Sequence, residues 1–403
     1  MRHHAKKNSE AALRTKKVLL VKYGEISLRK GNRALAEREL IAIIKKKLIG
    51  NIGVLVKREQ GRILIEMENE NLDVEEIIQK IRNIFGIAGF CHAIKTTEKD
   101  IDSLKEIALE YFINNAKKTS TFKVETKRGN KNYPLTSNDV SREIGDALFK
   151  QGYPVDLHNP DIKLFVEIRT NIYIYIDSEK GEGGLPYGSS GKGVLLLSGG
   201  FDSPVAGYLA ARRGVHILPI YFHSPPFVSE RTLGKVIEIA RKLATFAGSV
   251  KLLVVPFTDV QLLLKEAVQE EKLTILTKRA MIRIASIYAR EAKAGCLITG
   301  DSIGQVASQT IASLQAMTSA TKYNIVRPCA ILDKQEIISI ASRIGTESIS
   351  KQPFDDCCTL FLAKHPEIRP KASIIERIEE RLLPRLEPLM DEAFQKSETY
   401  EID

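Results

Sequence analysis

Apolar and polar residues alternate with a changing period along this chain, and the changes mark its parts. Residues 1–16 are polar and basic and read as a flexible tail. Val18 to Val21 then form an unbroken apolar run, so 17–23 reads as a strand, followed by a glycine-bounded basic turn at 24–33. Over 34–48, Leu35, Leu40, Ile43, Ile44 and Leu48 recur at helical spacing on one broad face, and 62–67 reads as another strand. Strand, helix and strands in this length predict a small α+β unit over 17–73. A second unit, 74–178, is expected to open with a helix at 74–85 and a short strand following it. It continues with a helix at 101–115, a strand at 121–128 alternating in period two, and a helix at 138–149 capped by Ser137 or Asn138. It closes with a hairpin of 164–169 and 172–176 around Thr170 and Asn171. Glycine and serine concentrate in 179–193, which reads as a flexible linker. Beyond it, strand-like segments at 194–197, 215–221, 251–255 and 296–299 alternate with helices. That order predicts a doubly wound parallel sheet over 194–403, with ligands at the carboxyl ends of its strands.

Composition narrows the class. At 403 residues and 43% hydrophobic, the chain can build a packed core in two or three domains. No apolar run approaches the ~20 residues of a bilayer span, and the first residues lack a signal-peptide core, so a cytosolic protein without membrane contact is expected. Five scattered cysteines with no C-x-x-C pair speak against a disulfide scaffold and against a zinc ribbon. Net charge is +10, and residues 1–60 hold sixteen Lys and Arg against five Asp and Glu, so the rest is near neutral. A basic bias confined to one end suits a polyanionic partner.

The apolar run Val194 to Leu197 leads into Ser198-Gly199-Gly200-Phe201-Asp202-Ser203, and Pro204 opens a helix. A strand, a glycine turn and a helix N-terminus together form a cradle of backbone N–H groups for a phosphate chain. The two glycines permit positive φ and close approach; Ser198 and Ser203 offer hydroxyls, and Asp202 can hold a hydrated magnesium ion. The string fits neither the Walker loop nor the dinucleotide fingerprint. It resembles the pyrophosphate loop of enzymes that split ATP into AMP and pyrophosphate.

Four strings occur in order: Y-G-E-I-S-L-R-K-G-N-R at 23–33, F-K-V-E-T-K-R at 122–128, L-L-S-G-G-F-D-S-P-V-A at 196–206 and G-Q-V-A-S-Q-T at 304–310. Together they resemble the ThiI family of tRNA 4-thiouridine synthases, in the form without a C-terminal rhodanese domain. The resemblance implies a ferredoxin-like domain, a THUMP RNA-binding domain and a pyrophosphatase-loop domain. It implies ATP-dependent transfer of sulfur to a tRNA uridine, position 8 in the family, through an adenylated uridine and a persulfide. ATP and magnesium are the expected cofactors, with no protein cage for the metal. Expected partners are tRNA, a persulfide donor such as a cysteine desulfurase, and a second copy of the chain. A role in thiamine thiazole synthesis is tied in the family to the rhodanese domain.

Carried onto this sequence, the resemblance assigns ATP binding to Leu196, Leu197, Ser198, Gly199, Gly200, Ser203, Tyr221, Phe222, Lys278, Arg279, Gly300 and Gln309. Tyr221 and Phe222 fall beside the adenine, and Lys278 stands where the family often has Arg. Catalysis is assigned to Asp202, Lys334, which matches a lysine facing the phosphates, and Cys357, which falls on the transfer cysteine next to Cys358. Asp355 and Asp356 beside it should raise the thiol pKa, so its activation must come from elsewhere. Lys123, Lys127, Arg128 and Lys131 are candidates for RNA phosphates, with Tyr133 to stack or pack. Cys91, Cys296 and Cys329 sit in apolar stretches and read as structural. Two alternatives stay open: another pyrophosphatase-loop enzyme of tRNA modification, and a tRNA-binding protein without catalysis.

Overall fold

Alternation on the first strand sets up the N-terminal unit. In β1 (Thr15–Tyr23), Leu19 and Val21 point to one face, while Val18 and Leu20 point to the other. A computed structural model describes residues 15–28, 31–59, 61–68, 73–176, 178–354 and 367–403, in two units, 1–185 and 186–403. The first unit continues with α1 (Arg33–Lys47), β2 (Val54–Glu59), β3 (Arg62–Met67), α2 (Val74–Ile81) and β4 (Ile87–Thr96). It ends with α3 (Ile101–Asn115), β5 (Phe122–Arg128), α4 (Ser137–Lys150), β6 (Ile162–Ile168), β7 (Ile172–Tyr175) and β8 (Glu179–Lys180). Its strands form one sheet, β2-β3-β1-β4-β7-β6-β5, with β8 also on β4.

Four of the sequence expectations shift here. Helix α2 buries Ile77, Ile78 and Ile81 in the same core as Leu40, Ile44 and Phe90, so it belongs with the first domain and does not begin the second. The short strand expected after it is β4, which pairs with β1 on one side and β7 on the other and joins the two halves. On α1, Leu35 is 52% exposed and Ala36 and Glu37 are buried in its stead. The glycine-rich stretch at 179–193 is not a free linker. Gly181 and Gly183 donate to the carbonyls of Ala88 and Ile87 in the first unit, whereas Ser190 donates to Gly214 in the second.

The basic bias of the first unit is partly internal. Buried Glu37 is held by Arg33, Arg58 and Tyr23; Glu66 by Lys57, Lys95 and Lys16; Glu167 by Arg62, Arg169 and Tyr175. Burial raises the Glu66 carboxyl, but the Lys57 and Lys95 hydrogen bonds outweigh it and bring the pKa down to about 2.

The second unit contains β9 (Lys192–Leu196), α5 (Asp202–Arg212), β10 (His216–His223), α6 (Glu230–Ala247), β11 (Val250–Pro256), α7 (Thr258–Ala267) and α8 (Glu270–Glu291). There follow β12 (Cys296–Ile298), α9 (Ile311–Thr318), β13 (Asn324–Val326), α10 (Lys334–Arg343), α11 (Glu347–Ser350), α12 (Ala372–Gln395) and β14 (Glu398–Ile402). The sheet order is β13-β12-β9-β10-β11-β14, parallel except for the last strand, which runs antiparallel on β11. The chain proceeds from β9 to β10 and β11, then returns to the other side of β9 with β12. A crevice therefore opens at the carboxyl ends of β9 and β12. No helix among the described residues is long and apolar enough to cross a membrane.

Candidate active site

Short loops after β9 and β12 meet in that crevice. After Leu196 the chain turns through Ser198 to Phe201 and starts α5 at Asp202. The two serines close the turn: Ser198 N–H donates to Ser203 Oγ at 2.9 Å, and the hydroxyls lie 3.0 Å apart. Gly199 and Gly200 are not among the positive-φ glycines, so the expected use of left-handed backbone does not arise; the missing side chains leave room instead. From the other side, Gly300 comes so close that a Cβ on it would lie 2.5 Å from the Ser203 nitrogen and 2.6 Å from the Asp202 carbonyl carbon. A side chain there would push the loops apart.

A cavity of about 260 Å³ lies between them. Leu196, Leu197, Ser198, Asp202, Ser203, Tyr221, Phe222, Lys278, Gly300 and Gln309 all line it, with Met281, Ile282, Thr299, Asp301 and Met317. Polar groups of the loop share its lining with the apolar side chains of Phe222, Met281, Ile282 and Met317, and Phe222 is fixed edge-on against Phe257 at 5.0 Å. Gln309 is buried, and its side-chain oxygen has no hydrogen-bond partner. A buried unpaired acceptor costs about 1–3 kcal/mol, which a ligand N–H would recover.

At the start of α5, Asp202 is gripped on both oxygens. Lys334 Nζ is 2.8 Å from Oδ1, and Gln305 Nε2 donates to Oδ2 at 2.9 Å. Lys334 reaches the loop because it opens α10, whose N-terminus is fixed by a capping box of Asp333 and Glu336. Lys278 on α8 pairs with Asp301 at 3.3 Å, and Asp301 also accepts from Thr299 at 2.8 Å and lies 3.6 Å from Arg327. Burial would raise the Asp301 carboxyl, but Lys278, Thr299 and Arg327 together hold it below its usual range. Asp301, Gln305 and Arg327 carry no signal of their own in the sequence, although the first two lie in the T-G-D-S-I-G-Q stretch beside Gly300 and Gln309.

Arg279 does not belong to this cavity. It is buried on another face of α8, where it binds Glu379 at 2.5 Å, Ser319 Oγ at 2.7 Å and the Ala316 carbonyl. Successive helical residues point about 100° apart, so Lys278 and Arg279 serve different neighbours. Arg283 also grips Glu379, at 2.7 Å. Cys329 lies 3.5 Å from the Asp202 carbonyl, but burial pushes its thiol up to about 12, so it is no thiolate near neutral pH. Cys357 and Cys358 lie outside the described residues.

In the first unit, Lys127 and Lys131 are exposed, and half-buried Lys123 is 3.9 Å from Glu125. Arg128 instead fastens its own loop, donating to the carbonyls of Tyr133 at 3.0 Å and Leu135 at 2.7 Å. Tyr133 is buried, its hydroxyl donating to the Lys99 carbonyl, so it packs and offers no stacking face.

Comparison with known proteins agrees with this layout. Residues 18–91 match the ThiI ferredoxin-like domain, 98–177 the THUMP domain, and 188–383 the family described as thiamine biosynthesis protein (ThiI). A probable tRNA sulfurtransferase of Agathobacter rectalis is 42% identical over 392 residues, covering 96% of this chain and 99% of its own. The chain belongs to the ThiI family. A second probable tRNA sulfurtransferase, from Acetivibrio thermocellus, is 42% identical across 96% of this chain and 99% of its own. Among solved structures, a 4-thiouridine synthetase in complex with RNA and bound ATP superposes with a TM-score of 0.84 at 37% identity. It covers 96% of this ThiI chain and 100% of its own. A protein from Pyrococcus horikoshii shares the fold, with a TM-score of 0.62 at 22% identity over 82% of this chain and 99% of its own.

Proposed function

We infer that this ThiI-family enzyme is a tRNA sulfurtransferase that uses ATP to replace the C4 oxygen of a tRNA uridine with sulfur. The observation that carries the reading is the switch-point cavity. Its lining combines the Ser198–Ser203 loop and Asp202, which Lys334 grips, with Tyr221, Phe222 and the unpaired acceptor of Gln309. That combination fits a triphosphate on the loop and an adenine against Tyr221 and Phe222, its exocyclic amine donating to Gln309. Gly199 and Gly200 leave room for the phosphate chain, and Lys278 offers a cation beside Asp301. Lys334 is 41% exposed and can exchange Asp202 for phosphate oxygens. Asp202 is a suitable carboxylate for magnesium carried on the triphosphate, which supplies charge neutralisation for the departing pyrophosphate.

The chemistry proceeds in two displacements. Uracil O4 attacks the α-phosphorus; the O4–P bond forms, the bond to pyrophosphate breaks, and the N3 proton passes to solvent. The terminal sulfur of a persulfide on Cys357 then attacks C4, and the C4–O bond breaks with loss of AMP. A thiol cleaves the resulting S–S link and N3 takes a proton back, leaving thiolated uridine and Cys357 in a disulfide that a second thiol reduces. Activation is needed because a carbonyl oxygen is a poor leaving group. The persulfide donor is a separate protein of the desulfurase class, and a second copy of the chain is an expected partner. Lys127, Lys131 and Lys123 are the cations left to meet RNA phosphates.

The test is single-turnover reaction of tRNA, ATP and a persulfide donor, followed by AMP, pyrophosphate and thiolated nucleoside. Cys357→Ser should release pyrophosphate at the normal rate and form no 4-thiouridine, with Cys358→Ser milder. Full thiolation by Cys357→Ser removes that cysteine from the mechanism, and absence of tRNA-dependent pyrophosphate release removes the whole reading.

A further inference from the structure

Lysine 235 sits where an amphipathic surface helix should have an apolar residue. Helix α6 buries Leu233, Val236, Ile239 and Ala240, and Lys235, on the same side, is 5% exposed. An ammonium removed from water costs several kcal/mol unless it is well bonded, so packing alone would favour Leu or Met here. Its Nζ donates to two main-chain carbonyls, Gln352 at 3.0 Å and Phe354 at 3.4 Å. Those residues form a turn, Phe354 N–H donating to the Gln352 carbonyl at 2.8 Å, directly after α11. The last residue of α11, Ser350, donates to the Gly200 carbonyl in the phosphate loop at 3.1 Å. One end of this short stem is thus fastened to the loop and the other to Lys235.

Cys357 follows Phe354 by three residues, a reach of at most about 11 Å. We propose that Lys235 is a positioning residue for the sulfur step, fixing the stem from which the chain runs to Cys357 relative to the phosphate loop. This rests on the assignment of sulfur transfer to Cys357. An in-line meeting of sulfur and activated C4 depends on orientation, and loosening the stem lowers the effective concentration of the nucleophile without touching the ATP cavity. Adenylation uses the loop, Lys334 and Asp202, and the Ser350–Gly200 bond that joins the loop to the stem stays in place when Lys235 is replaced.

The experiment uses the full-length chain with Lys235→Met, which keeps length and apolar stem but removes the donors, and Lys235→Arg, which keeps donors. Pyrophosphate release and 4-thiouridine formation are measured in single turnover, with thermal melting of each variant. Lys235→Met should adenylate within about two-fold of the parent and thiolate at least about ten-fold more slowly, with Lys235→Arg regaining part of the loss. Thiolation at the parental rate by Lys235→Met overturns the proposal. So does an equal fall in both steps, or failure of both variants to hold a fold, since either marks a purely structural lysine. Cys357→Ser run alongside separates the two ideas: if it thiolates normally, the cysteine assignment fails whatever Lys235 does.

Discussion

Replacing Glu379 by Gln tests whether Arg279 serves stability or nucleotide binding. The Glu379 side chain is 2% exposed and faces two guanidinium groups, Arg279 at 2.5 Å and Arg283 at 2.7 Å. Desolvation raises its carboxyl, but the hydrogen bonds from Arg283 and Arg279 prevail and keep it below the usual range. The amide is isosteric, so the cavity cost is small. What remains is an Arg279 side chain, 1% exposed, without its counter-charge. Breaking a buried pair in this way costs about 3–5 kcal/mol. For a unit of this size each kcal/mol lowers Tm by about 2–4 °C, so the loss should be about 6–20 °C. The cavity lies on another face of α8, so KM for ATP, measured by pyrophosphate release well below the melting point, should stay within about two-fold. Replacing the pair together, Arg279→Met with Glu379→Leu, should recover much of the lost stability, because no charge is left buried. A Tm within about 1 °C of the parent, with KM for ATP raised about ten-fold, would refute the reasoning and return Arg279 to the nucleotide site.

Other outcomes follow from the same geometry. Asp202→Ala should abolish tRNA-dependent pyrophosphate release and leave tRNA affinity unchanged by filter binding; normal release would remove the loop from catalysis. Lys127→Glu with Lys131→Glu should weaken tRNA binding and reduce its salt slope by about one unit for each phosphate that is no longer neutralised, whereas Arg128→Ala should chiefly lower Tm; an unchanged slope counts against this surface. Acid should destabilise the chain in a defined window. Glu66, Glu167, Glu37, Asp301 and Glu379 all have depressed pKa values in the folded state. The stability they add is complete above the unfolded carboxyl values of about 4 and is lost as pH falls through the folded ones, which for Glu66 is about 2. Urea midpoints by circular dichroism should hold between pH 7 and about 5 and fall steeply below about 4; a flat profile down to pH 3 would contradict this.

Local patterns in the sequence carry the loop, the sheet class and most helices. The Ser198–Ser203 turn is legible because strand, turn residues and helix start are adjacent in sequence, and the Asp333 cap announces α10. What is not legible depends on partners far along the chain. Arg279 reads as part of a basic pair because its carboxylate lies 100 residues away, at Glu379. Strand β2 is hard to see because, among the described residues, it pairs with β3 alone at the sheet edge, and it carries Lys57, Arg58 and Glu59 after three apolar residues. Glycines at 181–184 suggest looseness, yet glycine there permits close approach: a Cβ on Gly181 would lie 2.4 Å from the Ile87 carbonyl oxygen. Gln305 is silent because nothing near it in sequence reveals that it meets Asp202.

The approach of Gly300 to Asp202 and Ser203 also bears on how this catalytic unit can be taken apart and recombined. The two loops belong to chain halves separated by almost a hundred residues, yet the gap between them admits no added methyl group. A chimera that crosses over between β11 and β12 must take both loops from parents whose backbones match to a few tenths of an ångström. Crossovers that keep 196–306 intact inherit the fit ready-made. Library design on this scaffold should treat the two loops as one heritable block, although the sequence presents them as two.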